Sequence, residues 1–159
     1  MTGACTRRKV LADDRLEILE LLAKYDWAVD TDDTEAFLDV FTADGQFVFG
    51  DTVFEGTGGL REFIEDIKAR KIAGTQRSYA GRLGRSIFHN PINVVLEWDG
   101  DDIRLRAELI SPGIANDGQF SLLFAWYDDR VTRVAGEWKF RRRHATLWSE
   151  GPPRRSGPS

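Results

Sequence analysis

The hydrophobic pattern of this chain changes its period once, and this change restricts the possible folds more than any other feature of the sequence. Up to about Ile72, apolar residues recur every three or four positions, which is the spacing of one helix face. After Ile87 they alternate with polar residues, as on a strand with one buried face. A helical first half and a strand-rich second half predict an α+β fold, in which helices cover the concave face of a curved, mostly antiparallel sheet. We expect a ligand pocket between the two layers.

Three helices are predicted in the first half, over residues 13–30, 32–41 and 57–72. The first has the clearest amphipathic pattern, with apolar residues on one side and acidic residues on the other. Asp32 is the expected N-cap of the second helix. Residues 73–85 follow the third helix and contain three glycines and three arginines, which predicts a mobile loop.

The strands are predicted in two groups. Two short strands surround a Gly-Asp turn within residues 46–54. Four longer strands are expected over residues 87–98, 103–110, 120–127 and 138–148. The strand at 120–127 is apolar on both sides, so we expect both of its faces to be covered, one of them by a neighbouring subunit. The expected assembly is a homo-oligomer, either a dimer or a trimer.

Size and composition fit one domain. The chain has 159 residues, of which 42% are hydrophobic and 30% charged, enough for one core. We expect a flexible N-terminal arm at residues 1–11, a single domain at 12–150 and a disordered tail at 151–159, where only Gly, Pro, Ser and Arg occur. With one cysteine, Cys5, and two histidines, the chain cannot form an intrachain disulfide or a Cys/His zinc site, and we expect no metal.

The charge distribution limits the possible partners. The net charge is −4, and because five basic residues lie in the two ends, at 1–9 and 151–159, residues 10–150 carry −9. An acidic body disfavours nucleic acid, which requires a basic face. The run Arg141 to Arg143 is a local exception that fits a solvated strand end or an interface. No segment has the apolar length of a membrane span or of a signal sequence, so we expect a cytoplasmic protein that binds no membrane.

Asp30 and His89 are the candidate catalytic pair. Asp30 is expected at the C-terminal end of the first helix, where the helix dipole disfavours a carboxylate, so its presence there favours a functional role. The alternative is an acidic, solvated linker with Asp32 and Asp33. His89 opens a long strand, and a carboxylate bonded to one imidazole nitrogen raises the basicity of the other. Such a pair moves protons.

Tyr25 and Asn93 are candidate substrate-binding residues. Tyr25 precedes Asp30 on the first helix, where its hydroxyl either donates a hydrogen bond to an oxyanion or is satisfied in the core. Asn93 follows His89 by four residues and is expected on the same face of the strand. It either binds a ligand oxygen or satisfies backbone groups. His144, in a basic strand, is a weaker candidate for catalysis.

Several motifs occur in an order that resembles a known family. They are Ile18-x-x-Leu21-Leu22-x-x-Tyr25-x-x-x-x-Asp30-x-x-Asp33, Phe41-Thr-Ala-Asp44-Gly, His89-x-x-x-Asn93, Asp99-Gly100-Asp101 and Gly136-x-Trp138-x-Phe140. Together they resemble the SnoaL-like proteins of the nuclear transport factor 2-like superfamily, relatives of scytalone dehydratase and hexachlorocyclohexane dehydrochlorinase. The resemblance covers about residues 12–148 and implies a cone-shaped α+β barrel, with three N-terminal helices on the concave face of the sheet.

The resemblance also implies roles for individual residues. In dehydratase-like members, the Asp after the first helix and the His that opens the first long strand form an acid/base dyad, and these correspond to Asp30 and His89. Pocket walls in those relatives correspond here to Val29, Phe49 and Leu123. These relatives need no cofactor, and we expect none.

Two other activities of the superfamily fit the sequence less well. Tyr25 matches the oxyanion tyrosine of ketosteroid isomerase, but Phe47 and Phe49 occupy the strand that would carry its base. Arg106-x-Glu108 superficially matches epoxide hydrolases of the limonene type. These two residues alternate with core residues of their strand, so we expect them to face solvent.

The sequence therefore predicts a cofactor-independent enzyme that moves a proton on a small, largely apolar, cyclic or polyketide-like molecule, by dehydration, isomerisation or cyclisation. His89 would be the base, Asp30 would orient it, and Tyr25 or Asn93 would bind the oxygen on which charge develops. The alternative is a non-catalytic ligand-binding or accessory protein of the same fold. The two hypotheses predict different results for His89→Ala. The variant should abolish turnover if the protein is an enzyme and should change ligand binding little if it is a binding protein.

Overall fold

A computed structural model describes residues 8–72, 88–114 and 120–151. The helices are α1 (Ala12–Asp30), α2 (Thr34–Asp39) and α3 (Gly56–Ile72). The strands are β1 (Phe41–Phe49), β2 (Thr52–Glu55), β3 (Asn90–Asp99), β4 (Asp102–Ile114), β5 (Phe120–Val134) and β6 (Glu137–Leu147), followed by a short 3-10 turn at Trp148–Glu150. The loop predicted at 73–85, most of the predicted arm and nearly all of the predicted tail lie outside the described residues.

The six strands form a mixed sheet in the order β2-β1-β6-β5-β4-β3. β1 and β6 are parallel, and the other neighbouring pairs are antiparallel. The predicted α+β class, with helices packed against a mostly antiparallel sheet, is confirmed. In the described ranges, none of the helices has the length and apolar character needed to cross a bilayer.

An aromatic cluster attaches the first two helices to the sheet. Tyr25 of α1 and Phe37 of α2 pack against Phe41 of β1 and Phe140 of β6, with ring centroids 5.2–6.1 Å apart. All four rings are buried. Tilted and edge-to-face pairs of this kind stabilise beyond their buried area. The cluster fixes the C-terminal half of α1, which carries Asp30, over the inner face of the sheet.

The N-cap of α2 is Asp33, one residue after the predicted Asp32. The Asp33 carboxylate accepts a hydrogen bond from the backbone N–H of Ala36 at 3.0 Å. Asp32 instead has a left-handed backbone, with φ 59°. The chain needs this conformation to leave α1, because the backbone N–H of Asp33 returns to the carbonyl of Ala28. The sequence pattern does not reveal which of two adjacent aspartates turns the chain.

β5 extends beyond its predicted end at Tyr127 to Val134. Five of the seven added residues are polar, but they are paired across the sheet: Asp128 accepts hydrogen bonds from Arg104 Nε at 2.7 Å and Nη2 at 2.6 Å. On the outer side of β5, the described structure leaves Phe120, Leu122 and Phe124 between 43% and 67% exposed. The homo-oligomer expected to cover this side stays a prediction.

Candidate active site

A cavity of about 400 Å³ lies between α1, α3 and the inner face of the sheet. Its wall is mostly apolar, with Phe47 and Phe54 on β1 and β2, Phe63 on α3 and Leu109 on β4. Pockets for small molecules range from roughly 300 to 1,000 Å³ and combine apolar walls with a few polar groups. The size and wall of this cavity fit an apolar molecule of a few rings.

Asp30 and His89 meet at this cavity. His89 Nδ1 lies 2.6 Å from Asp30 Oδ1, and the backbone N–H of His89 donates to Asp30 Oδ2 at 3.0 Å. The side chains are only 17% and 12% exposed, and His89 lines the cavity. Because a carboxylate accepts but does not donate, we assign the ring proton to Nδ1, which leaves Nε2 to exchange a proton with a ligand. One carboxylate thus positions both the ring and the backbone of His89.

Tyr25, Val29, Phe49 and Leu123, four of the predicted substrate-binding residues, line the same cavity. Tyr25 is 2% exposed, and burial raises the pKa of its hydroxyl well above the usual value. The hydroxyl therefore keeps its proton and can act as a hydrogen-bond donor. Contact of these four residues with a substrate stays a prediction.

Asn93 does not lie in the cavity, and the expectation that it shares a face with His89 is wrong. Its backbone is left-handed, with φ 53°, and the pairing of β3 with β4 shifts between Ile92 and Val95. This bulge interrupts the alternation counted from His89. The Asn93 side chain donates to Glu108 Oε2 at 2.8 Å instead. Asn93 is therefore no longer a candidate for substrate binding.

The expectation that Arg106 and Glu108 face away from the core agrees with the structure. They alternate with Leu105, Ala107 and Leu109, which are at most 4% exposed. Arg106 pairs with Glu97 at 3.0 Å on the outer side of the sheet. Arg106 and Glu108 are therefore not part of the cavity wall that the structure describes.

A buried arginine lies directly behind the cavity. Arg143 is 0% exposed, and its guanidinium carbon is 3.8 Å from the ring centroids of both Tyr25 and Tyr127, which line the cavity. Two tyrosine faces thus hold the cation between them. Asp129, also 0% exposed, lies 3.2 Å from Arg143 Nη1 and supplies a compensating charge.

The interpretation of Arg141 to Arg143 as a solvated strand end is wrong for Arg143. Val131 pairs with Phe140, but Arg130 pairs with Arg142, so Arg141 is an extra residue in β6. This bulge moves Arg143 to the same inner side as Phe140. Arg141 itself is exposed. The sequence contains no alternation that would have distinguished the two arginines.

The positive charge of Arg143 affects the pKa of two buried carboxyl groups, those of Asp26 and Asp129. Burial raises the pKa of Asp26 to about 7, although Arg143 acts in the opposite direction. Burial also raises the pKa of Asp129 to about 7, again against the attraction of Arg143. The single positive charge of Arg143 compensates the negative charge of only one of these two carboxylates. Because Asp129 is at ion-pair distance from Arg143, we assign the proton held near neutral pH to Asp26.

The variant Asp26→Asn should remove much of the pH dependence of stability. The pKa of Asp26 is raised from 3.8 to about 7 on folding. The bound proton therefore stabilises the fold fully below about pH 4, and this stabilisation is lost as the pH rises through 7. Between pH 5 and pH 8 the wild-type free energy of unfolding should fall by an extra amount on the order of 2–3 kcal/mol. Urea unfolding at several pH values measures this slope.

The exposed Asp101 supplies the matched control for that experiment. Asp101→Asn should keep the wild-type dependence of the unfolding free energy on pH, whereas Asp26→Asn should flatten it. Equal slopes for wild type and Asp26→Asn would contradict the assignment of the buried proton.

Sequence reasoning singled out only part of the cavity wall, and it missed two hydroxyl-bearing residues of the long strands. Ser111 and Tyr127 line the cavity. Leu105, Ala107 and Leu109 are alternate residues of β4 that face inward, and Ser111 is the next residue in this series. The two-residue period of the strand could therefore have predicted that Ser111 faces the cavity. Tyr127 was recognised only as part of an apolar strand.

His144, the other histidine, lies outside the cavity lining. Its backbone N–H donates to Asp129 at 3.0 Å, and burial together with the nearby Arg142 lowers the pKa of its ring. The described hydrogen bonds of His144 to other side chains are with Asp129 and Thr146, not with Asp30 or His89.

Comparison with known proteins gives the same fold and identifies a family. Residues 11–144 match the SnoaL-like domain family. An uncharacterized protein of Mycobacterium tuberculosis is 29% identical over 137 residues, which are 84% of this chain and 84% of the relative. The predicted family and the fold of nuclear transport factor 2-like proteins are thereby confirmed.

Solved structures extend this similarity. A candidate aromatic ring hydroxylase from Novosphingobium aromaticivorans is 30% identical, with a TM-score of 0.70 over 87% of this chain and 92% of that chain. A hexachlorocyclohexane dehydrochlorinase from Novosphingobium barchaimii is 19% identical, with a TM-score of 0.68 over 85% and 86% of the two chains, a likeness of fold. By its match over most of its length, this chain belongs to the SnoaL-like domain family.

Proposed function

We propose that this protein is a cofactor-independent enzyme that transfers a proton on a small, largely apolar cyclic molecule. The observation that carries the proposal is the 2.6 Å contact between Asp30 and His89 at the wall of an apolar cavity. A fold shared with a dehydrochlorinase supports this general kind of enzyme. Dehydration, isomerisation and cyclisation of a ring compound all begin with such a proton transfer.

In the proposed reaction, His89 Nε2 takes a proton from carbon. The electron pair of the C–H bond moves into a new double bond, and charge develops either on a neighbouring oxygen or on a leaving group. The Asp30 carboxylate holds the ring by Nδ1 and stabilises the imidazolium that forms. The proton then returns to the product or to the leaving group. A positioned base of this kind contributes on the order of 10²–10⁴-fold in rate.

The wall of the cavity supports this step in two ways. Phe47, Phe54 and Phe63 keep water away from the base, which strengthens the electrostatic interactions inside. Tyr25, whose raised pKa keeps its hydroxyl protonated, is one group proposed to donate a hydrogen bond to the developing oxyanion.

The test uses 2-tetralone, a two-ring ketone whose C–H group between the aromatic ring and the carbonyl is acidic. In D₂O, we expect the protein to speed the exchange of this hydrogen for deuterium, followed by proton NMR. A rate equal to that of protein-free buffer would contradict the proposal and favour the ligand-binding alternative.

The variant Asp30→Asn should slow this exchange at least tenfold. Asparagine keeps one oxygen to accept the backbone N–H of His89, so the position of the His89 backbone should survive. Its amide nitrogen, however, would donate to His89 Nδ1 and move the ring proton to Nε2, where it blocks the base. The exchange rate of the variant measures this effect, and circular dichroism checks its fold. A wild-type rate in Asp30→Asn would show that the carboxylate does not set the tautomer.

A further inference from the structure

Ser111 places an unused polar group on the cavity wall. Its side chain is 0% exposed and lines the cavity. Its Oγ atom is buried without a hydrogen-bond partner among the described residues. The other described side chains with buried, unpartnered polar atoms are absent from the cavity lining. A buried hydroxyl left in this state carries a desolvation penalty that a bound partner relieves.

The register of the sheet places Ser111 opposite His89. Asn90 pairs with Ile110, and the backbone N–H of Phe88 donates to the carbonyl of Pro112 at 3.5 Å. His89 and Ser111 therefore face each other across the start of the β3–β4 pair, and both line the cavity. Side chains opposite each other on one face of an antiparallel pair have Cβ atoms about 4.5–5.5 Å apart. One small molecule can contact both.

The two neighbours of Ser111 on β4 and β5 cannot satisfy its hydroxyl. On its own strand the preceding inward residue is Leu109, and its partner on β5 is Leu123. Both are hydrocarbon side chains that line the cavity. A hydroxyl both donates and accepts a hydrogen bond, and it carries no charge. The matching ligand group is a neutral or developing oxygen.

We propose that Ser111 binds an oxygen of the substrate, on the carbon next to the one from which His89 takes a proton. The substrate is then an apolar ring compound with a carbonyl group at that position. This inference rests on the proposed function. When Nε2 takes the proton, the C–H electron pair forms the carbon–carbon double bond of an enolate, the carbonyl pair moves to oxygen, and the Ser111 hydroxyl donates to that oxygen.

The test compares two ligands that differ by one carbonyl group, 2-tetralone and the hydrocarbon tetralin. For Ser111→Ala, the dissociation constant of 2-tetralone should rise about three- to tenfold, the value of one neutral hydrogen bond. The dissociation constant of tetralin should change less than twofold. Both are measured by NMR titration of the protein. Leu123→Val is the control, because it alters the wall beside Ser111 without removing a hydrogen bond and should change both affinities by a similar factor.

Four results would overturn the proposal. The first is an equal loss of both ligands in Ser111→Ala, since Ser111 would then act only through packing. The second is unchanged binding of 2-tetralone in Ser111→Ala. The third is no binding of 2-tetralone to the wild-type protein. The fourth is a lower melting temperature of Ser111→Ala, because the hydroxyl would then have a partner within the protein.

The binding test separates this proposal from the enzymatic one. If Ser111 sets the preference for the ketone but the wild-type protein exchanges no deuterium, the oxygen site stands and the proton transfer fails. If exchange depends on His89 but Ser111→Ala binds both ligands like wild type, the proton transfer stands and the oxygen site fails.

Discussion

Replacing His89 with glutamine should lower the rate of deuterium exchange into 2-tetralone at least 100-fold. His89 lines the cavity and its imidazole supplies the proposed base, and a positioned general base contributes on the order of 10²–10⁴-fold. Glutamine is close in size and has no basic nitrogen. The backbone N–H of residue 89 can still donate to Asp30, so the local fold should persist.

His144→Gln is the matched control for this variant. His144 is the other histidine, and it lies outside the cavity lining. Its replacement should leave the exchange rate within about twofold of wild type. Tetralin binding separates binding from chemistry, because His89→Gln should bind the hydrocarbon nearly as well as wild type. If His89→Gln exchanges deuterium at the wild-type rate, the dyad is not the catalytic group.

The second large effect concerns stability. Arg143→Met should lower the free energy of unfolding at pH 8 by about 3–5 kcal/mol, the range for breaking a buried ion pair by removing one partner. The loss arises because Asp129, 0% exposed, remains buried without its cation. Two tyrosine faces also lose the guanidinium between them. Urea unfolding monitored by circular dichroism measures the change.

Two further variants sharpen this prediction. Arg141→Met removes a neighbour on the same strand whose side chain is 53% exposed, and it should cost clearly less than Arg143→Met, because water screens its ion pair with Asp102. Adding Asp129→Leu to Arg143→Met should recover most of the loss, because no unpaired charge then remains in the core. The loss in Arg143→Met should also be smaller at pH 5, since the raised pKa of Asp129 lets its carboxyl take up a proton there. A loss that is the same for Arg141 and Arg143 would contradict the buried ion pair.

The candidate dyad could be predicted from the sequence because periodic elements fix it. The 3.6-residue period sets the end of α1 and with it the place of Asp30, and the first long strand sets His89. The walls formed by Val29, Phe49 and Leu123 came from the family resemblance, and all three line the cavity.

The remaining features depend on single-residue irregularities that a period does not encode. Bulges at Asn93 and Arg141 reverse which side chains face inward. The bulge at Asn93 turns that side chain away from the cavity, and the bulge at Arg141 places Arg143 behind the cavity. A left-handed residue at Asp32 moved the helix cap by one position. The positions of such bulges and left-handed residues depend on the packing of the whole sheet and its turns, and the local sequence does not predict them.

The parallel pairing of β1 with β6 also determines when the cavity can form during folding. It joins Phe41 to Phe140, about 100 residues apart, whereas β3 to β6 are antiparallel neighbours in chain order. Pairings between distant segments form slowly, because the chain must close a long loop before any contact is gained. Phe47 lies on one side of this junction and Leu109 on the other, and both belong to the cavity wall. The cavity is therefore complete only after this long-range pairing has formed.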